Sequence, residues 1–322
     1  MNDNYEKFFD AEPLALKYGE NPHQKAFIYI NNDNAQFENL SDVELSYNNL
    51  LDINCAALIA AEFYDVNAAV IVKHNTPCGA ALGKTLNEAY LKAFDTDPVS
   101  TFGATIAFSK TVDKEIAKHA SSVFLDAVIA PDFDPDALEI LKKNEALRII
   151  KLITPYKTIR TMQEQEVHIT PFGTLVQETD NKELDKDTFK VVSKTKPDAE
   201  MIEDMVFAWK IAKHVKTNAV VVAKDFKTLS IVGGQTSRID AVETALDRAC
   251  DGAKKAVIAC DGFIPAIDSI QAAAQCRIGG IIQTGGTHKD KDVVDAANTR
   301  SKSGNENIYD KQRNITRKHG TA

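Results

Sequence analysis

The sequence predicts an α/β protein built from two duplicated, layered lobes with mostly parallel sheets. Three observations carry that expectation. Short β-branched runs alternate with amphipathic stretches. Residues 67–73 (NAAVIVK) match residues 218–224 (NAVVVAK) at a displacement of 151 residues. The stretch from Glu178 to Asp198 between the halves is dense in charge and marked by Pro197. The chain has 322 residues, above the roughly 250 at which single cores stop growing, so two lobes are the expectation. We place them at residues 1–188 and 189–322.

In chain order, strands are predicted at Ala68–Lys73, Thr105–Ser109, Ala127–Ala130, Arg148–Leu152, Ala219–Lys224, Ala256–Cys260 and Gly280–Gln283. Each is a short apolar run of the kind buried on both faces of a parallel sheet. Helices are predicted between them, at Asp52–Tyr64, Thr85–Phe94, Asp113–Ala120, Met201–Val215, Ser237–Ala249 and Asp268–Gln275. In the first, Ala56, Ala57, Ile59, Ala60 and Phe63 form one apolar stripe. Ser237 and Asp240 have the spacing of a capping box, with Asp in place of Glu. The 151-residue displacement also lays Gly83 on Gly234 and residues 105–109 on 256–260 without a gap. A duplication explains that register more simply than chance likeness of strands.

Composition excludes several classes. With 44% apolar and 26% charged residues, the chain has the makeup of a folded domain. A net charge of -8 and short or terminal basic clusters argue against a nucleic-acid surface, so an anionic ligand must be held by local cations. The five cysteines are scattered, with no CxxC pair, which suggests reduced thiols. The acidic first ten residues do not form a signal peptide and no apolar run reaches membrane-spanning length. A cytoplasmic location without a membrane or nucleic-acid partner is the expectation.

Several segments hold residues suited to chemistry. Lys17-Tyr-Gly-Glu-Asn-Pro-His-Gln24 must be a turn, since Gly19 and Pro22 break regular structure, and it presents Lys17, Tyr18, Asn21, His23 and Gln24. Lys73 and His74 follow a predicted buried strand, the edge at which α/β folds bind ligands. An adjacent Lys–His pair supplies an imidazole base beside a cationic stabiliser; the alternative is a strand end in solvent. Asp97–Gly103 and Asp126 are further strand-end candidates, with turn and backbone roles as alternatives. Asn218 opens a strand, and Gly233-Gly-Gln-Thr-Ser-Arg238 leads into a helix, an arrangement suited to an anion though unlike a P-loop. Phe263, Asp268 and Thr287 lie on the last strand-end loops, where stacking and hydrogen bonding compete with packing and capping as readings. Pro77-Cys78 near a histidine resembles the zinc deaminase signature, but residue 81 is Ala and no H-x-E precedes it, so no metal is expected.

Taken together, K-Y-G-E-N-P-H-Q, V-K-H-N-T-P-C-G, D-P-V-S-T-F-G, V-I-A-P, A-W-K-I-A-K-H-V-K-T-N-A, G-G-Q-T-S-R-I-D, D-G-F-I-P and Q-T-G-G-T resemble, in this order, the AICAR transformylase domain of the bifunctional purine-biosynthesis enzymes. The likeness runs from about Leu14 to Ala297. It implies formyl transfer from the co-substrate 10-formyltetrahydrofolate to the 5-amino group of AICAR, giving FAICAR and tetrahydrofolate. It implies two cytidine-deaminase-like lobes, and an intertwined homodimer whose subunits share each active site. Carried over by motif, His74 is the base and Lys73 stabilises or protonates the folate side of the intermediate, with Asn218 orienting both. Lys17, Tyr18, Gly103, Asp126 and Arg238 contact the nucleotide, while Ile239, Phe263, Asp268 and Thr287 face the folate.

Three departures stand out. Only a dozen or so residues precede Leu14, so cyclohydrolase activity is not expected of this chain. Lys17 stands where the family more often has Arg, which weakens bidentate phosphate contact. The family ending resembles R-H-F-R-H, whereas residues 313–319 read RNITRKH; Arg313 is the preferred terminal anion contact and Arg317 the alternative. That altered tail motivates a second reading, a weakened paralogue that binds AICAR or folate as a sensor.

Overall fold

The computed structural model describes residues 13–30, 36–300 and 306–310. Arg313 and Arg317 lie outside the described residues. By contacts the chain divides into two compact units, the first taking in the sequence up to Thr76, Lys84–Tyr90 and Pro98–Asp180, the second Pro77–Gly83, Leu91–Asp97 and the sequence from Asn181 onward.

In chain order the first half contains β1 (Pro13–Ala15), β2 (Phe27–Tyr29), β3 (Phe37–Asn39), α1 (Tyr47–Ala61), β4 (Ala68–Lys73) and β5 (Thr76–Leu82). There follow α2 (Leu86–Phe94), α3 (Pro98–Thr101), β6 (Ala104–Phe108), α4 (Lys114–Ser121), β7 (Leu125–Ala130), α5 (Pro135–Leu141), β8 (Arg148–Leu152), α6 (Tyr156–Met162), β9 (Gln165–Thr170) and β10 (Gly173–Glu178). The sheet of the first unit runs β4-β6-β7-β8-β3. Strands β6, β7 and β8 are parallel, and β4 and β3 pair antiparallel at the two ends of that trio.

The second half contains β11 (Phe189–Val191), α7 (Ala199–Ala212), β12 (Val220–Lys224), β13 (Lys227–Val232), α8 (Arg238–Ala249), β14 (Val257–Cys260), α9 (Ile267–Gln275), β15 (Gly280–Gln283), α10 (Asp290–Arg300) and β16 (Glu306–Asp310). Its strand order, β5-β13-β12-β14-β15-β16-β11, repeats the scheme: a parallel trio β14-β15-β16 with antiparallel strands on either side.

The α/β class expected from the sequence is therefore found, and the parallel pairing resides in the two trios. The hairpin strands pair antiparallel because β12 and β13 are joined by only two residues, too few for a parallel crossover. Strand β5 is absent from the strands predicted from sequence, and Pro77 and Gly79 disfavour a strand locally. The glycine there answers to packing: a Cβ on residue 79 would come 2.3 Å from the Ala93 carbonyl oxygen.

The strands are near-continuous apolar runs because both faces are covered. Five of the six residues of β4 and all five of β6 are buried. Helix α1 packs with Ile53, Ala56, Ala57, Ile59 and Ala60 buried, and each larger aliphatic side chain so removed from water contributes about 1.5–3 kcal/mol. Helix starts are fixed by side chains: Ser46 and Asn49 form a reciprocal capping box on α1, Asp113 caps α4 and Asp198 caps α7. Ser237 caps α8 by accepting from the Asp240 amide at 3.4 Å.

The duplication extends to individual hydrogen bonds. Asn67 Nδ2 donates to the Lys84 carbonyl and Asn218 Nδ2 to the Gln235 carbonyl, both at 2.9 Å. The Ala68 amide donates to Ser109 Oγ and the Ala219 amide to Asp261 Oδ1, both at 2.8 Å. Among the described residues no helix is long and apolar enough to cross a membrane.

Candidate active site

In the first unit, the residues singled out from sequence meet around the start of α1. Lys73 closes β4, and His74 and Asn75 form a two-residue turn before β5, with φ of 54° and 56°. Left-handed backbone is uncommon outside glycine and is tolerated best by residues such as Asn and His. Asp52, one turn into α1, holds this turn: its Oδ1 accepts the Asn75 amide at 2.5 Å, and the His74 amide also interacts with the carboxylate. Burial pushes the Asp52 carboxyl above the usual carboxylate range, opposed by those two amides and by the charge of His74. The His74 and Asn75 side chains are exposed.

Lys73 Nζ donates to the Phe102 carbonyl at 2.5 Å. Gly103, the next residue, has φ of 73°. A Cβ there would lie 4.0 Å from Lys73 Nζ, so the lysine sits directly beside this backbone. The rings of Phe102 and Phe124 pack at 5.2 Å, and both remain exposed.

Asp126, second in β7, is gripped on both oxygens. Oδ1 pairs with Arg148 at 2.6 Å, and Oδ2 accepts from Asn49 Nδ2 at 2.5 Å. The 17–24 turn is built as expected, with Gln24 Oε1 accepting from the Asn21 amide at 2.7 Å. It docks on α1 through the Tyr18 carbonyl, which accepts the Tyr47 amide at 3.0 Å. Lys17 is exposed, its Nζ 5.9 Å from the Tyr18 ring centre. One helix start thus fixes three segments: Tyr47 the turn, Asn49 the Asp126 carboxylate and Asp52 the His74 backbone. Asn49 and Asp52 are three apart and share a helix face.

In the second unit, Asn218 is anchored by the Gln235 carbonyl. Arg238, expected as a phosphate contact, is buried. Its guanidinium pairs with Asp261 at 2.8 Å and donates to the Ala219 carbonyl at 2.7 Å, while Nε has no hydrogen-bond partner among the described residues. That placement makes Arg238 a brace between the start of β12 and the end of β14. Ile239 is half-buried; Phe263 is exposed on the loop after β14, and Asp268 is exposed in the first turn of α9. Asp268 Oδ1 accepts from the Ser269 amide at 2.6 Å, a helix-start role. Gln283 Oε1 accepts from the Ile264 amide at 2.6 Å and ties this loop to β15, while Gln283 Nε2 is buried and has no hydrogen-bond partner among the described residues. Thr287 Oγ1 donates to Asp290 Oδ1 at 2.9 Å at the start of α10. An exposed ring and an exposed carboxylate suit a heterocycle with hydrogen-bond donors on its edge. Among the described residues no three His, Cys, Asp or Glu side chains gather as a metal site.

Asn49, Asp52, Arg148, Phe102, Phe124 and Asp290 build these loops and were not singled out from sequence. The S-x-x-N spacing of Ser46 and Asn49 was the available signal for α1.

Asp204 in α7 accepts the Asp225 amide at 2.9 Å and the Phe226 amide at 2.8 Å. Burial raises its pKa from 3.8, with those amides opposing and the Asp225 and Glu200 charges adding to the rise. Above the unfolded value the folded chain therefore holds more protons than the unfolded one, and this group's contribution to stability falls as pH rises. Asp204→Asn removes that decline. Its stability relative to wild type, followed by urea denaturation, is expected to rise as the pH is raised above the ordinary carboxylate range; a constant or falling difference contradicts the raised pKa.

A family model described as "AICARFT/IMPCHase bienzyme" matches residues 3–248. A bifunctional purine biosynthesis protein PurH of Caldicellulosiruptor saccharolyticus is 47% identical over 290 residues, covering 88% of this chain and 56% of the relative. The PurH proteins of Thermoanaerobacter sp. and Microcystis aeruginosa are 44% and 42% identical over 297 and 288 residues. The chain spans about half the length of these relatives, 56% in each case.

Proposed function

The chain belongs to the AICARFT/IMPCHase bienzyme family, and on that premise we propose that it acts in purine biosynthesis as the formyltransferase, moving a formyl group from 10-formyltetrahydrofolate to the 5-amino group of AICAR. The observation that carries this reading is the presentation of Lys73 and His74: a lysine held beside the Gly103 backbone, followed by an exposed imidazole on a braced turn.

An amine conjugated to a carboxamide-bearing imidazole is a weak nucleophile, so its proton must leave as the new C–N bond forms. His74 takes that proton. Negative charge develops on the formyl oxygen as the amine attacks, and the Lys73 ammonium is the cation positioned to stabilise it; as this intermediate collapses, the bond from the formyl carbon to the folate N10 breaks and N10 takes up a proton, so that tetrahydrofolate leaves. Asp126, fixed by Arg148 and Asn49, offers a hydrogen-bond acceptor for the nucleotide, and Lys17 with Tyr18 offers a cation and a hydroxyl. Phe263 and Asp268 offer stacking and hydrogen bonding for the folate heterocycle. Arg238 supports the site as a brace for the β12 start rather than as a free cation. The assay is tetrahydrofolate release, followed by absorbance, with AICAR and 10-formyltetrahydrofolate. Turnover supports the enzyme; nucleotide binding without turnover supports the sensor reading instead.

We also propose that the chain works as a homodimer. The β9–β10 hairpin places Val167, Ile169 and Val176 on one face, all exposed, with Phe172 99% exposed at the tip. A lone two-stranded ribbon with an apolar face is marginal in water and is stabilised when that face is covered. The double variant Val167→Asp, Val176→Asp is expected to shift the mass seen by light scattering from dimer to monomer. A monomeric wild type, or a variant that remains dimeric, removes this role for the hairpin.

A further inference from the structure

The two repeats contain the same device twice. In the second unit, Asp204 of α7 receives the amides of both Asp225 and Phe226, which carry φ of 54° and 55° in the two-residue turn between β12 and β13. In the first, Asp52 of α1 receives the Asn75 amide, with the His74 amide beside it, at the two-residue turn between β4 and β5, where φ is 54° and 56°. Each carboxylate is half-buried or buried and is aimed at backbone rather than at a side chain. A charged acceptor facing two adjacent amides fixes the plane of both peptides and so the direction in which the turn's side chains leave.

The turns differ in what they carry. Asp225 and Phe226 lie outside the proposed chemistry, whereas the first turn carries His74. We propose that Asp52 is the positioning residue for His74, holding the left-handed turn that aims the imidazole. It acts through the backbone and touches no substrate. The inference rests on the reading of His74 as the base, and Asp204 supplies an internal control, because its removal breaks the same kind of turn without moving a reacting group.

The test compares Asp52→Ala, Asp52→Asn and Asp204→Ala in the full chain, measuring kcat, KM for AICAR, thermal midpoint, and hydrogen exchange of the His74 and Asn75 amides by NMR. Asp52→Ala is expected to lower kcat at least about tenfold, with KM within about threefold, because misplacing a base by a fraction of an ångström acts on the chemical step. Asp52→Asn retains a carbonyl acceptor and is expected to recover part of that loss. Asp204→Ala is expected to lower the thermal midpoint comparably while kcat stays within about threefold of wild type. Exchange at residues 74 and 75 is expected to accelerate in Asp52→Ala and not in Asp204→Ala.

Unchanged kcat in Asp52→Ala despite accelerated exchange overturns the positioning role, as does an equal loss of kcat in Asp204→Ala. Should Asp52→Ala fail to fold, Asp52→Asn decides in its place by the same two readouts. A wild type without formyl transfer overturns the proposed function, and the exchange comparison then still reports whether Asp52 holds the turn; unaltered exchange sinks that as well.

Discussion

Replacing His74 by Ala is expected to lower kcat for formyl transfer by roughly a thousandfold while AICAR binding changes little, since a positioned general base contributes about 10²–10⁴. The separation of the two effects follows from where the groups sit. His74 is exposed at the tip of a two-residue turn and its side chain buries no core surface, so its loss leaves the fold intact. The nucleotide contacts proposed here, Lys17, Tyr18 and Asp126, are held by α1 and Arg148 independently of the imidazole. Equilibrium binding of AICAR, measured by calorimetry, therefore reports the pocket, and single-turnover rate reports the base. A fully active variant removes His74 from the mechanism; parallel loss of binding and rate assigns it to recognition.

Much of the fold was readable because the signal was local. The strand bounds Ala68–Lys73, Arg148–Leu152 and Gly280–Gln283 agree with β4, β8 and β15 residue for residue, as expected of short, largely buried apolar runs. The duplication was readable for the same reason. What escaped depends on partners distant in sequence. Strand β5 contains a proline and a glycine that argue against a strand locally, and it forms because Ala80 and Thr228 exchange hydrogen bonds 148 residues apart. The first turn of α1 escaped because it opens on Tyr47-Asn48-Asn49, whose polar groups face the 17–24 turn and Asp126. The hairpin β9–β10 has no buried face within the described residues, and the alternation of Val167 and Ile169 with His168 and Thr170 is too short to mark a strand on its own.

Site residues follow the same division. A lysine and histidine at the end of a buried strand could be selected on position alone. Their supports, Asp52, Asn49 and Arg148, could not, because a helical Asp or Asn is ordinarily a solvated side chain or a cap. Arg238 shows the converse. A cation before a helix reads as an anion site, and only the structure places Asp261 against it. Asp261 does in the second repeat what Ser109 does in the first, each accepting the amide at the start of a strand, although the 151-residue register lays Ser109 on Cys260. The second repeat thus carries an extra buried charge, and a paired arginine neutralises it.

Lys73→Met is expected to lower kcat by about 10²–10³ with a small change in stability, the size found when one donor to a developing oxyanion is removed. Methionine keeps most of the lysine's length and apolar stem and deletes the charge, so packing beside Gly103 is retained while the cation is lost. A structural explanation would attribute the loss instead to the missing bond from Nζ to the Phe102 carbonyl. The second repeat separates the two. Lys224 ends β12 as Lys73 ends β4, and its Nζ donates to the Lys254 carbonyl at 3.3 Å. Lys224→Met deletes the corresponding bond without touching the proposed chemistry, and its kcat is expected to stay within about twofold of wild type, as for most surface changes away from a site. Lys73→Arg restores the charge, but the planar guanidinium is larger than the ammonium that now fits beside the Gly103 backbone, so recovery is expected to remain below about a tenth of wild-type kcat. Near-normal turnover by Lys73→Met would exclude the ammonium as the stabilising cation, and equal losses in Lys73→Met and Lys224→Met would assign both lysines to the framework.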